Sequence, residues 1–246
     1  MITETIALFF IGLLAGAINT LAGGGSLLTL PALIFMGLPP VMANATNRIG
    51  VFFSAFFAWR GYQSKGYKVD KYSLVLGIIA LVGAYFGSLI AVNISGALFN
   101  KILAAVILLI VAYMLFGKSI KTGDEVHGKK SQVLGYFSFL IIGVYGGFIQ
   151  AGVGYLIMAS LSIIHNIAIV KVNLIKAFVV VIYTLASLFV FIEQGLINWE
   201  LGIALALGMS LGGWLTSRWS TKVNEKYIRY FVMATAIFFA VKLFFF

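Results

Sequence analysis

Apolar residues run almost without interruption along this chain, and short polar stretches divide them into ten elements. The pattern predicts helices over residues 4–21, 26–37, 41–60, 72–93 and 98–116, and again over 132–149, 154–164, 168–192, 199–216 and 227–245. Runs such as Leu74 to Val92 and Ala168 to Ile192 are long enough to cross a hydrocarbon core of about 30 Å as helices. The second element of each set is shorter and covers only about half of that core. It reads as a half-helix or one arm of a re-entrant hairpin. The short alternating segments of a β-barrel are absent. The expected fold is an all-α, polytopic membrane helical bundle.

The second set of five repeats the first. Gly12, Gly16 and Asn19 fall on Gly143, Gly147 and Gln150. With a slightly different shift, Gly25 falls on Gly154, Asn44 on Asn173, Asn47 on Lys176 and Gly66 on Gly195, and further on Gly83 and Gly87 resemble Gly208 and Gly212. One membrane domain, 1–246, is therefore expected, made of a repeat at 4–116, a linker at 117–130 and a second repeat at 131–246.

Loop charge gives these repeats opposite orientations. Arg60, Lys65, Lys68 and Lys71 follow the third element of the first half, whereas its counterpart carries Glu193 and Glu200 and no cation. After the fourth element the bias reverses, from Lys101 alone to Arg218, Lys222, Lys226 and Arg229. If cationic loops face the cytoplasm, loops 61–71, 117–130 and 217–229 lie inside. Residues 94–97, residues 193–199 and both termini lie outside. Equivalent loops then face opposite sides, which defines inverted repeats with an odd number of crossings each. Five crossings are preferred over three, because the first element alone is long enough to span. With no Lys or Arg ahead of its apolar run, the first helix reads as a retained span rather than a cleaved signal. A plasma or inner membrane, multi-pass protein is expected.

Composition supports the membrane assignment: 62% of residues are hydrophobic, 10% are charged and the mean hydropathy is +1.07, against roughly 25% charged in a soluble domain. The net charge of +10 belongs to the loops, so no nucleic-acid partner is implied. There is no cysteine, and the two histidines, His127 in a loop and His165 at a helix end, make no metal set. No cofactor is implied, and a homo-oligomer is left open. Trp59, Trp199, Trp214 and Trp219 sit where interfacial anchors are expected.

Candidate chemistry gathers at matching interruptions, residues 22–26 and 150–154. Gly23, Gly24 and Gly25 break the first half, and Ser26 stands where an N-cap would precede Leu27 to Phe35. Gln150, Gly152 and Gly154 break the second. Two half-helices starting there would aim unpaired N–H groups and positive dipole ends at one centre, an anion site. Asn19 precedes the first break. Asn44, Thr46, Asn47 and Arg48 open the third element, with Asn173 and Lys176 in the equivalent stretch. Arg48 and Lys176 are the cations deepest in apolar sequence; both either meet the substrate or snorkel to the interface. Gly83, Gly87, Gly208 and Gly212 read instead as close helix packing.

The acids inform by position. Glu4, Asp70, Asp124, Glu125, Glu193, Glu200 and Glu225 all lie at termini, in loops or at helix ends, leaving no carboxylate in mid-membrane for a cation pump or proton relay. An anion or neutral solute is expected as substrate. No set of buried His, Cys or carboxylate supports a membrane enzyme.

The run Asn19-Thr20-Leu21-Ala22-Gly23-Gly24-Gly25-Ser26, then Pro31, Pro39 and Ala43-Asn44-Ala45-Thr46-Asn47, resembles the first-repeat motif of the TauE/SafE sulfite exporter family. The run Gly146-Gly147-Phe148-Ile149-Gln150-Ala151-Gly152-Val153-Gly154 resembles its second. The resemblance covers essentially the whole chain. It departs at Ser160, which stands where Pro31 would fall, and at the break with only two glycines. It implies a transporter of sulfite, sulfonates or related organosulfur anions. The alternatives are a carrier of another small organic anion, such as a carboxylate, and a membrane scaffold.

Overall fold

The computed structural model describes residues 2–116, 128–219 and 225–245. Ten helices are described: α1 (Ile2–Ala22), α2 (Ser26–Phe35), α3 (Pro40–Gln63), α4 (Lys71–Val92), α5 (Gly96–Phe116), α6 (Lys129–Phe148), α7 (Val153–His165), α8 (Ile169–Glu193), α9 (Trp199–Trp219) and α10 (Glu225–Phe245). They coincide with the ten expected elements, with ends shifted by a few residues. His127, Asp124, Glu125 and most of the expected linker lie outside the described residues, as does part of the loop at 217–229.

Local chemistry sets the helix ends. Pro39 and Pro40 open α3, since a proline at the first helical position gives up an N–H that would be unpaired anyway. Asp70 caps α4 by accepting from the Ser73 amide at 2.8 Å. Gly152 begins α7 and Asn166 ends it, both in left-handed backbone. Left-handed residues recur between the halves in the register of the sequence repeat: Gly23 with Gly152, Gly37 with Asn166, and Gly66 with Gly195. One sequence expectation is corrected here. Ser26 is the first residue of α2, and Gly25 takes the cap position without a side-chain bond. Gly25 already has right-handed helical angles, so the helix starts one residue earlier than a serine cap would allow.

Packing between the halves is reciprocal. Helix α1 lies on α9 as α6 lies on α4, α3 lies on α9 as α8 lies on α4, and α3 meets α8 at the centre. Four glycine pairs make the peripheral contacts. Gly12 and Gly16 face Leu205 and Met209, while Gly208 and Gly212 face Phe9 and Leu13, so α1 and α9 run in the same direction. Gly143 and Gly147 face Ala80 and Ala84, while Gly83 and Gly87 face Leu140 and Val144, so α4 and α6 also run together. In each case the neighbour is backbone, the close approach that small residues allow between membrane helices. The packing role expected of Gly83, Gly87, Gly208 and Gly212 is what the fold uses. Helices α3 and α8 run in opposite directions: Arg48 lies over the Phe191 ring, and Trp59 packs on Phe178 with ring centroids 5.2 Å apart. Trp59 is thus an interior contact, its Nε1 buried, while Trp199 and Trp219 are exposed at helix ends.

Among the described residues, five helices, α1, α4, α5, α6 and α8, are long and apolar enough to cross a membrane. Phe10, Phe86, Leu109, Phe137, Phe189 and Leu207 stand exposed on outer faces, a surface suited to lipid rather than water. The described acids Glu4, Asp70, Glu193, Glu200 and Glu225 sit at helix ends or caps.

Candidate functional site

The two helix breaks touch. Gly23, left-handed at φ +75°, lies against the backbone of Gly154, so closely that neither position has room for a Cβ. Gly24 backs onto the Tyr155 ring and Gly25 onto the Ala15 carbonyl. These contacts explain the three-glycine run: it lets α1 end, α2 begin and α7 pass within one backbone thickness. Thr29 bonds Asn47 at 2.6 Å, so α2 folds back between α1 and α3.

Beside this contact lies a cavity of about 20 Å³, room for one water molecule. Its polar lining comes from Asn19 and Thr20 at the end of α1, Ser26 at the start of α2, Gln150 in the second break and Lys176 on α8. Val153 and Gly154 add the start of α7. Two helix N-termini and one cation therefore border a common space. Gln150 adopts φ +64°, uncommon for a residue with a side chain. Its Nε2 reaches the Tyr183 and Thr184 hydroxyls only at 3.4 and 3.5 Å, and its Oε1 has no partner. A buried, half-satisfied amide at a strained backbone position is costly, and it belongs to the cavity wall.

The remaining candidates do not line the cavity. Asn44 donates to the Phe148 carbonyl at 2.8 Å. Arg48, wholly buried, donates to the Gly146 and Gly147 carbonyls at 2.8 and 2.5 Å. Together they satisfy the last carbonyls of α6, whose negative dipole end favours a cation. Arg48 thus neither snorkels nor faces the cavity. Thr46 accepts the Asn198 amide at 3.0 Å, just before α9. Asn47 accepts from Thr29, and its Nδ2 has no partner. Asn173 accepts from Lys176 Nζ at 2.8 Å and so aims the ammonium, which also donates to the Thr20 carbonyl at 3.0 Å. Gly152 shapes the break from beneath Ile110.

Sequence reasoning missed the apolar wall: Val51, Ala55 and Ala58 on α3, and Ala177 and Val180 on α8. The signal was present, since 47, 51, 55 and 58 follow one helical stripe. Small apolar residues carry no chemical mark in a chain this hydrophobic. Outside the cavity, buried His165 meets the Tyr72 hydroxyl at 2.8 Å.

Comparison with known proteins identifies the family. A family model described as Sulfite exporter TauE/SafE matches residues 8–243. A "Probable membrane transporter protein" of Haemophilus influenzae is 31% identical over 246 residues, covering 96% of this chain and 92% of that protein. "Probable membrane transporter protein ORF9" of Sinorhizobium sp. is 26% identical over 96% of this chain and 90% of its own length. "Probable membrane transporter protein YfcA" of Escherichia coli K12 is 26% identical over 96% and 88%. No solved structure gives a significant match. With a match over nearly its whole length, the chain belongs to the sulfite exporter TauE/SafE family of membrane transporters.

Proposed function

We propose that this protein is a secondary carrier for a small sulfur-containing anion, such as sulfite or an organosulfonate, held between the two helix breaks and moved by alternating access. One observation carries the reading: the starts of α2 and α7, Gln150 and the Lys176 ammonium converge on one cavity that no carboxylate lines. Sulfur oxyanions accept hydrogen bonds from backbone N–H groups, amides and ammonium, and charge assistance roughly doubles the strength of such bonds. The cavity is closed to about one water molecule, whereas small-molecule sites occupy about 300–1,000 Å³. Transport therefore requires the α3 and α8 walls to part.

We read residues 4–116 and 131–246 as inverted repeats. The reciprocal packing, the opposed directions of α3 and α8 and the recurring left-handed residues support this. Substrate sites of inverted-repeat carriers lie where the halves meet. The plasma or inner membrane is the setting, with both termini and residues 193–199 outside and the cationic loops inside.

Purified protein in proteoliposomes tests the function. Flux of sulfite, sulfate, thiosulfate, taurine and a carboxylate is compared with protein-free vesicles. Transport of at least one sulfur anion is expected, with Gln150→Ala lowering it. Carboxylate flux alone would make the protein a carboxylate carrier, and no flux of any anion would point to a scaffold.

A further inference from the structure

Two buried cations cross between the halves at the breaks, and they are tied differently. Arg48 of α3 holds the Gly146 and Gly147 carbonyls with two guanidinium nitrogens, lies 4.9 Å from the centre of the Phe191 ring, and stays out of the cavity. A planar fork on two adjacent carbonyls is a fixed fitting. Lys176 of α8 is a compact charge on a flexible stem. Its ammonium reaches two other helices, the Thr20 carbonyl in the last turn of α1 at 3.0 Å and the Met158 sulfur of α7 at 3.7 Å, and on its own helix it donates to Asn173 Oδ1 at 2.8 Å. It also lines the cavity with Asn19, Ser26 and Gln150. These three acceptors are neutral, and a thioether is a weak one. An anionic oxygen entering the cavity is a stronger partner than any of them.

We propose that Lys176 is a substrate-operated latch between the halves: a bound anion draws its ammonium from the Thr20 carbonyl and frees the end of α1 to move. Arg48 is a positioning residue that keeps the end of α6 in place throughout. The inference rests on the anion-carrier reading and adds how binding at that site is coupled to motion. The energy for the change is the difference between the anion's interaction with the latched and the released ammonium, as any ligand-driven shift requires.

The test uses the full chain, which contains no cysteine. Flux of sulfite, methanesulfonate, sulfate, thiosulfate and taurine is measured first; if the native chain carries none of them, the carrier reading itself falls. With whichever of these moves fastest as probe, Ala22→Cys, two residues beyond Thr20 at the end of α1, is alkylated by a fluorescent iodoacetamide with and without the anion. A soluble thiol in the same mixture controls for reagent consumption. The anion is expected to change the alkylation rate severalfold. In a Lys176→Gln background that response is lost and KM rises at least tenfold. Arg48→Lys, by contrast, lowers the maximal rate while KM stays within about twofold and the labelling response persists. An anion that is transported yet leaves Ala22→Cys labelling unchanged overturns the latch, and this holds even if Lys176→Gln fails to fold. A Lys176→Gln protein with native KM, or one that keeps the labelling response, overturns it as well.

Discussion

A helix that ends in the protein interior leaves carbonyls that water does not reach, and single side chains answer that need here. Asn44 and Arg48 bond the last three carbonyls of α6, and Lys176 bonds the end of α1. Replacing Asn44 with Leu leaves the Phe148 carbonyl without this donor. Leaving a buried polar group unsatisfied costs about 1–3 kcal/mol. The expected result is a lower melting temperature in detergent, measured by the loss of monodisperse protein after heating. At the loop before α4, the Asp70 carboxyl is partly buried, which raises its pKa. Hydrogen bonds from the Ser73 hydroxyl and amide, with nearby Lys171, outweigh that and hold it below the usual carboxylate range. A carboxyl depressed in the folded state stabilises the fold above its unfolded pKa of about 3.9 and loses that contribution as pH falls through the folded value. Asp70→Ala is therefore expected to cost about 1 kcal/mol at neutral pH. The gap to the native chain should close below about pH 4, as paired thermal melts across pH will show.

Among elements, the glycine seams decide how closely helices meet. A Cβ on Gly16 would run into the Met209 backbone, and one on Gly147 into that of Ala84. Gly16→Ala and Gly147→Ala are each expected to push two helices apart, with overpacking costs of about 1–3 kcal/mol and a clear fall in folded yield on size exclusion. Gly128 has open space around it and an ordinary φ of −75°, so Gly128→Ala should leave the yield unchanged. The elements themselves were legible in the sequence because apolar runs, prolines and glycine breaks are local signals. The start of α2 was not fully so. Ser26 has the chemistry of a cap, but the crowding of Gly25 against Ala15 and Asn19 sets where the helix begins.

At the scale of the whole molecule, the meeting of α3 and α8 places the cavity between the two halves of the chain. The topology proposed above is checked by single cysteines. Lys65→Cys and Gln194→Cys, both at exposed loop positions, should react with a membrane-impermeant maleimide from opposite faces of oriented vesicles, Gln194→Cys from outside. Labelling of both from one face would remove the inverted arrangement. Sequence alone determined the ten helices, the two matching breaks, the placing of every carboxylate at a terminus, loop or helix end, and the family, because each depends on residue type and spacing along the chain. Tertiary structure decided which polar residues meet a common space. Asn19, Ser26, Gln150 and Lys176 line the cavity, while Asn44, Thr46, Asn47 and Arg48 are turned to helix ends and neighbouring side chains. A buried polar side chain must find a partner, and whether that partner is a carbonyl of a distant helix or a cavity depends on packing, which no local pattern encodes.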